Sequence, residues 1–532
     1  MSNATQAINS LDQTISSFKS RVDVKVNNVH SSTQNIQATT DKIYDNINRF
    51  KTDMLHGEEK QIAHENILRI DQIIKEQFSN HVTIRRTVMG VVRDFDINLV
   101  RNSTIQELSE ELWITSSRYW LSYALIAITA WVNDYSDVAI NALAECGRRD
   151  KIKTTLFFCL MNLRFNRVEI AKKWFFEYLR TLDPTILQQE TAILLQSYLN
   201  GIFGKDKELE HEVIKLIDEW ISIINENAEI SQELIGEYER FIQNTNVHAK
   251  FEYQSLLQFC TNYKEMENSY ANVSKYERLI NFVKSLDVEE QQHTDANYKS
   301  RIDAILTNLI SNYDAEELEL KNQQEYYRFI VENNGVIEKA EEQFEAVQQL
   351  QNSNFNIGKQ MLKWAIYDEG QTDIQVRKFG LQNTKSWFKS AVSDWAARMK
   401  EAYPTEYTLS IDIWKGSSNG LDQAEMTESL RNHYDNNRFQ LKYVNQWNIA
   451  AMIVLFASIG FAFLTIFSLI FTALAFGFIV YRVLSAGKEY TKRLNTSLEN
   501  LNLCMSEIAD FRHYYEENCV KKDDLLSIVE FL

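Results

Sequence analysis

The sequence predicts a mainly α-helical protein of long helices and helical hairpins. It also predicts a transmembrane helical hairpin near the C-terminus, with a small α/β module next to the membrane. Three observations carry this expectation. Only 2 prolines and 15 glycines occur in 532 residues, where average usage would give roughly 27 prolines, so little interrupts a helix. Apolar residues recur at intervals of seven through the first fifty positions. Residues 443–481 pass without one charged side chain.

The recurring residues are Ile8, Ile15, Val22, Val29, Ile36, Ile43 and Phe50. A sustained 3.5-residue period makes a left-handed coiled coil or a helix-pairing arm. Leu11 and Phe18 begin a companion row three positions on, which turns polar at Lys25, Ser32, Thr39 and Asn46. Ile47 and Met54 close it one position out of step. Two expectations follow: a conditional coil with a partner or a second copy of the chain, or a polar helix packed back on the body. A second helix is expected at about 57–80.

From Trp113 to Gly201 the chain is at its most apolar outside the membrane segment. Two helical hairpins repeat there with an offset of 32. Ala127 and Ala139 recur as Cys159 and Ala171, Leu143 corresponds to Phe175, and Pro184 follows. Small residues at these points let paired helices cross closely. Over residues 116–200 the pattern resembles tetratricopeptide-like repeats, whose small, small and aromatic positions share this spacing. The usual Trp and Gly of the first helix are missing. The resemblance implies a helical stack with a concave surface for a partner peptide or helix. Ordinary antiparallel helices packed through small residues fit the same residues.

Residues 205–365 read as amphipathic helices, with Asp314 to Gln351 forming one extended acidic, solvated helix. The texture then changes. Thr372–Phe379, Tyr407–Trp414 and Phe439–Tyr443 alternate as strands do, between helix-like segments at 383–402 and 421–435, while Gly416–Gly420 reads as a loop. The domain reading is therefore 1–80 coiled-coil-like helices, 81–230 repeat-like, 231–365 amphipathic helices, 366–445 the α/β module, 446–484 the hairpin and 485–532 a cytoplasmic helix.

The charge-free run would extend about 58 Å as one helix, roughly twice the hydrocarbon thickness, so two short spans fit it better. Ser458 with Ala462, and Ala473 with Gly477, form two small-residue pairs symmetric about Phe467 and Ser468. Basic residues flank both ends, and Tyr443, Trp447, Tyr481 and Arg482 stand where interfacial anchors belong. This predicts a multi-pass protein of the cell membrane with both termini cytoplasmic and lipid as one partner. A buried hairpin without a membrane is the alternative.

The net charge of −17 argues against a nucleic-acid binder. Five cysteines in no C-x-x-C arrangement indicate neither a disulfide framework nor zinc. The polar N-terminus has no signal-peptide core. Gly201-Ile-Phe-Gly204-Lys205 falls short of a phosphate loop, because its spacing fails and Asp206 stands where a hydroxyl is needed. Two Glu-x-x-His pairs occur, Glu208 with His211 and Glu290 with His293; chance predicts about 0.7 and explains much of the count, and neither pair is set in an apolar helix face. His64-Glu65 lacks the second histidine of a zincin motif. No catalytic signature and no cofactor is indicated.

The leading expectation is a membrane-anchored cytoplasmic scaffold or adaptor that binds proteins through its repeat-like body and coiled-coil arm. A membrane-acting effector, similar in architecture to α-helical pore-forming toxins, is the alternative. Its legs would need a polar stripe, yet they offer only Ser458, Thr465, Ser468 and Thr472, against phenylalanines at 456, 463, 467, 471 and 478. An enzyme would need polar groups converging near Asp412, Trp414 and Arg377.

Overall fold

The scarcity of proline and glycine is expressed as helices of unusual length. A computed structural model describes residues 2–93, 116–247, 250–287, 296–351, 354–367, 373–443, 450, 452–453, 456 and 467–532. Almost all of the described elements are helices, joined by one two-stranded antiparallel sheet. The chain divides into two units. The first comprises residues 1–182, 188–190 and 296–354, and the second residues 183–187, 191–295 and 355–532.

The first unit is built on one helix, Ser2–Arg93, of 92 residues. At 1.5 Å per residue it rises about 138 Å. No break separates the expected coil from the expected second helix at 57–80. Nothing stands within 4 Å of a Cβ placed at Gly57, and the helix passes through that residue. We call this element the arm helix. Residues 19–55 are exposed, whereas Ala63, Ile70, Phe78, Ile84, Val88 and Val91 are buried. They pack on the Ala315–Glu332 and Ala296–Ser311 helices.

The repeat-like region forms two hairpins, Trp120–Val132 with Ser136–Arg149, and Lys151–Arg164 with Val168–Arg180. The turns obey the 32-residue offset. Asp134 and Asn166 occupy the left-handed region at φ 60° and 55°. After each, a backbone N–H closes back at 2.8 Å, Tyr135 to Ala130 O and Arg167 to Asn162 O. Both are helix C-terminal caps of one geometry, tolerated because Asn and Asp adopt this conformation more readily than branched residues. Cys159, Ala171 and Phe175 are fully buried, with Ala127 nearly so. The first helices of both hairpins are covered by the chain itself: Trp120–Val132 meets the arm helix, and Lys151–Arg164 meets Ala296–Ser311. The Arg164 guanidinium joins this contact, reaching Asp303 at 2.5 Å and donating to Val92 O at 3.0 Å.

The acidic run expected as a single extended helix is two helices, Ala315–Glu332 and Ile337–Gln351. Asn334 and Gly335, both at positive φ, reverse the chain between them. Glu317, expected on a solvated face, is buried.

The second unit centres on the sheet. Strand β1, Tyr407–Ile411, pairs with β2, Trp414–Ser418, in the register Tyr407↔Ser418 and Ile411↔Trp414. Tyr407, Leu409, Ile411 and Trp414 point into a core with Leu256, Tyr434, Cys504, Ile508 and Phe511. Gly416–Ser418, expected as loop, belongs to β2. Two expected strands are helical instead. Asp373 accepts from Gln375 N at 2.9 Å and starts a helix at Ile374 that runs to Ala402. Two alternating apolar residues there are outweighed by a side-chain cap. Residues Arg438–Tyr443 form one short helix.

Phe467–Phe531 is a single 65-residue helix. Among the described residues no helix is long and apolar enough to cross a membrane. The expected transmembrane hairpin, and the multi-pass cell-membrane localisation drawn from it, are corrected accordingly. The apolar stretch of the described helix ends at Arg482, and its described part, Phe467–Tyr481, rises about 22 Å; residues 457–466 of the expected hairpin lie outside the described residues. This stretch continues without a break into the rest of the helix, to Phe531.

Candidate functional site

Most residues that suggested chemistry have structural duties. Gly201 and Gly204, at φ 77° and 72°, shape the turn before the Lys207–Glu226 helix. Asp206 caps that helix, accepting from Glu208 N and Leu209 N at 3.1 and 3.2 Å. Glu208 and His211 are exposed. Glu290 and His293 lie outside the described residues. Among the described residues no three His, Cys, Asp or Glu side chains gather as metal ligands would.

Asp412, Trp414 and Arg377 have separate surroundings. Asp412, at φ 52°, makes the β1–β2 turn and accepts from Tyr434 Oη at 2.6 Å and from Arg493 Nε and Nη2 at 2.5 Å each. Arg493 foremost holds its carboxyl below the usual range. The Trp414 indole donates to Ser429 Oγ at 3.2 Å. The Arg377 guanidinium lies over the Phe282 ring.

The residues named for the membrane hairpin divide in the same way. Ser458, Ala462 and Trp447 lie outside the described residues. Tyr443 ends a short helix. Ala473 and Gly477 are exposed on the Phe467–Phe531 helix, with no described atom within 4 Å of a Cβ placed at Gly477. Tyr481 is exposed, and Arg482 pairs with Glu489 at 3.1 Å.

The arm helix carries an extensive exposed apolar surface. Val22, Val29, Ile36, Ile43 and Phe50 are exposed, Phe50 by 70%. Ile8 and Ile15 continue the row on the same helix. The row beside it, four positions on, is Val26, Thr33, Thr40, Ile47 and Met54, exposed as well. Stepping by three instead of four lands on Lys25, Ser32, Thr39 and Asn46 and makes the seam look polar. Read as alternating fours and threes, it is apolar or β-branched from Val22 to Met54.

Both threonines in the seam satisfy their hydroxyls within the helix. Thr33 Oγ1 donates to Val29 O at 2.8 Å and Thr40 Oγ1 to Ile36 O at 2.9 Å. A partner packed on this face would therefore leave neither hydroxyl without an acceptor.

The arm is held by groups that the sequence reading passed over. Arg85 forms a two-pronged ion pair with Glu317, at 2.7 and 2.9 Å. The His81 ring stacks on Tyr119 with centroids 4.0 Å apart, and its Nδ1 stands 3.6 Å from Glu317. Burial alone would raise the Glu317 carboxyl, but His81 and the Arg85 guanidinium hold it at about 2. Nearer the tip of the hairpin, Lys60 Nζ donates to Asn334 Oδ1 at 3.0 Å, and Ala63 packs on Ile330 and Ala340. Spacing in sequence gives no sign of these pairings, which, apart from His81 with Tyr119, join residues more than two hundred positions apart.

No protein-family model, curated protein or solved structure matches the chain. The functional reading therefore rests on its own residues.

Proposed function

We propose that the chain is a protein-binding helical scaffold whose arm helix offers a coiled-coil seam to other helices. The observation that carries this reading is the contrast along one continuous helix. Beyond residue 60 one face of it is buried and ion-paired, while residues 19–55 are exposed and keep a two-row apolar seam. Exposed Val, Ile and Phe in register cost solubility unless something covers them, and contiguous apolar surface on a protein marks an interaction site. The repeat-like hairpins support the arm in this reading. Their first-helix face, where such a stack would receive a partner, is occupied by helices of the same chain. Tethering one binding surface to a rigid body raises the local concentration of whatever the seam holds.

The test is chemical cross-linking with mass spectrometry on cells making the full chain or its Ile36→Asp/Ile43→Asp variant. Both positions are exposed, so the body of the variant keeps its fold. Cross-links from arm peptides to other polypeptide chains are expected in the native protein and lost in the variant. Equal cross-linking in both would remove the reading.

A further inference from the structure

We infer that the arm helix is one strand of a parallel coiled coil built from at least three copies of this chain. The inference rests on the arm's role as a pairing surface and names what it pairs with.

The number of strands follows from side-chain shape. With Val22, Val29, Ile36, Ile43 and Phe50 at the d positions of a heptad, Val26, Thr33, Thr40, Ile47 and Met54 occupy the a positions. In parallel coils, β-branched residues at a with leucine at d select two strands, whereas β-branched residues in both rows move the preference to three or four. Here four of five d residues and four of five a residues are β-branched, and none is leucine.

The identity of the partner follows from the flanks. In coiled coils the e and g positions choose partners through charge. These positions carry His30, Gln37 and Tyr44 on one side and Ser32, Thr39 and Asn46 on the other. Toward the seam's ends they hold Asp23, Lys25, Lys51 and Asp53. The seam's middle thus has no charge pattern to select a foreign helix, while Asp41, Lys42, Asp45 and Arg49 fall on the outward face. A parallel copy repels nothing there, and each layer meets its own kind. The area suffices. Ten seam side chains at roughly 60–120 Å² each give about 600–1,200 Å² per copy, the range of a stable interface at ~800 Å² per partner.

Light scattering on the purified full chain, with three d-row variants, tests this. The native protein is expected at three or more times the 62.3 kDa chain mass. Ile36→Cys and Ile43→Cys, tested separately under mild oxidation, should both yield disulfide-linked chains. An antiparallel pair brings only one level of the seam against itself, so cross-linking at one position alone overturns the parallel arrangement. Four of the five native cysteines are buried, which keeps the background of the unsubstituted control low. Replacing Val22, Val29, Ile36 and Ile43 together by leucine should lower the mass to two chains. A native mass of one or two chains overturns the inference. If such a protein still shows arm cross-links to other polypeptides that Ile36→Asp/Ile43→Asp abolishes, the scaffold reading stands and the occupant is foreign. If those cross-links ignore the substitutions, both readings fall.

Discussion

Gly335 lies against the backbone of His56 so closely that a Cβ on it would sit 1.9 Å from the His56 carbonyl oxygen. Its φ of 86° independently favours glycine. At this contact the turn after Ala315–Glu332 meets the arm helix. Gly335→Ala must therefore push the turn away from the arm as well as strain its own backbone. We expect a loss of about 2–4 kcal/mol in the stability of the first unit. Hydrogen exchange should show faster opening in residues 56–70 than in the 120–180 hairpins. Unchanged exchange would refute it.

Acid should loosen the same clamp further along. The Glu317 carboxyl is held at about 2 against an ordinary 4.5, so the unfolded chain takes up its proton first as pH falls. The stabilisation is complete above pH 4.5 and is lost as pH drops toward 2. It amounts to on the order of 3 kcal/mol. Urea titrations between pH 7 and 2 should show this slope, and Glu317→Gln should flatten it. Arg85→Ala, which strands the buried carboxylate, should cost about 3–5 kcal/mol at pH 7.

The paired turns of the hairpins give a matched experiment. Asn166→Gly and Asp134→Gly should change stability by less than about 0.5 kcal/mol, because glycine accepts positive φ freely. Asn166→Val should cost about 1–2 kcal/mol. Equal behaviour of glycine and valine would show that the left-handed turn is not what sets the reversal.

In the second unit, Arg493→Ala removes the two-pronged contact at the β1–β2 turn. The pair is partly exposed, so the cost should be no more than about 1 kcal/mol. That corresponds to roughly fivefold faster hydrogen exchange in Tyr407–Ser418. Exchange unaffected by the change would mean that the sheet's core side chains alone hold the turn.

Helix dominance was legible from the missing prolines, and the 32-residue offset from small and aromatic residues. The offset reappears in turn residues that the reading did not use, Asp134 and Asn166. Local alternation misled where a stronger local signal competed. The Asp373 cap overrides Ile374 and Val376, and Asn334-Gly335 breaks a run that composition alone called continuous. The proposed seam was half legible: its first row follows from the sevenfold spacing, but the second lies four residues on, where Thr33 and Thr40 count as polar until their hydroxyls are seen turned back on the helix. Arg85 with Glu317 was not legible, because a buried ion pair between distant segments has no signature in local spacing.

The arm helix has no joint between its bare and its buried half. Continuing the Val22 row by sevens past Phe50 gives Gly57, His64 and Asp71, so the seam does not run on into the buried face. The two faces are thus locked in rotational phase by a helix that turns about 100° per residue. A single residue inserted near Gly57 would swing the seam a quarter turn or more around the body without altering either face. Seven would bring it back to within about 20° while lengthening the reach by about 10 Å. Natural changes of arm length should therefore come in sevens.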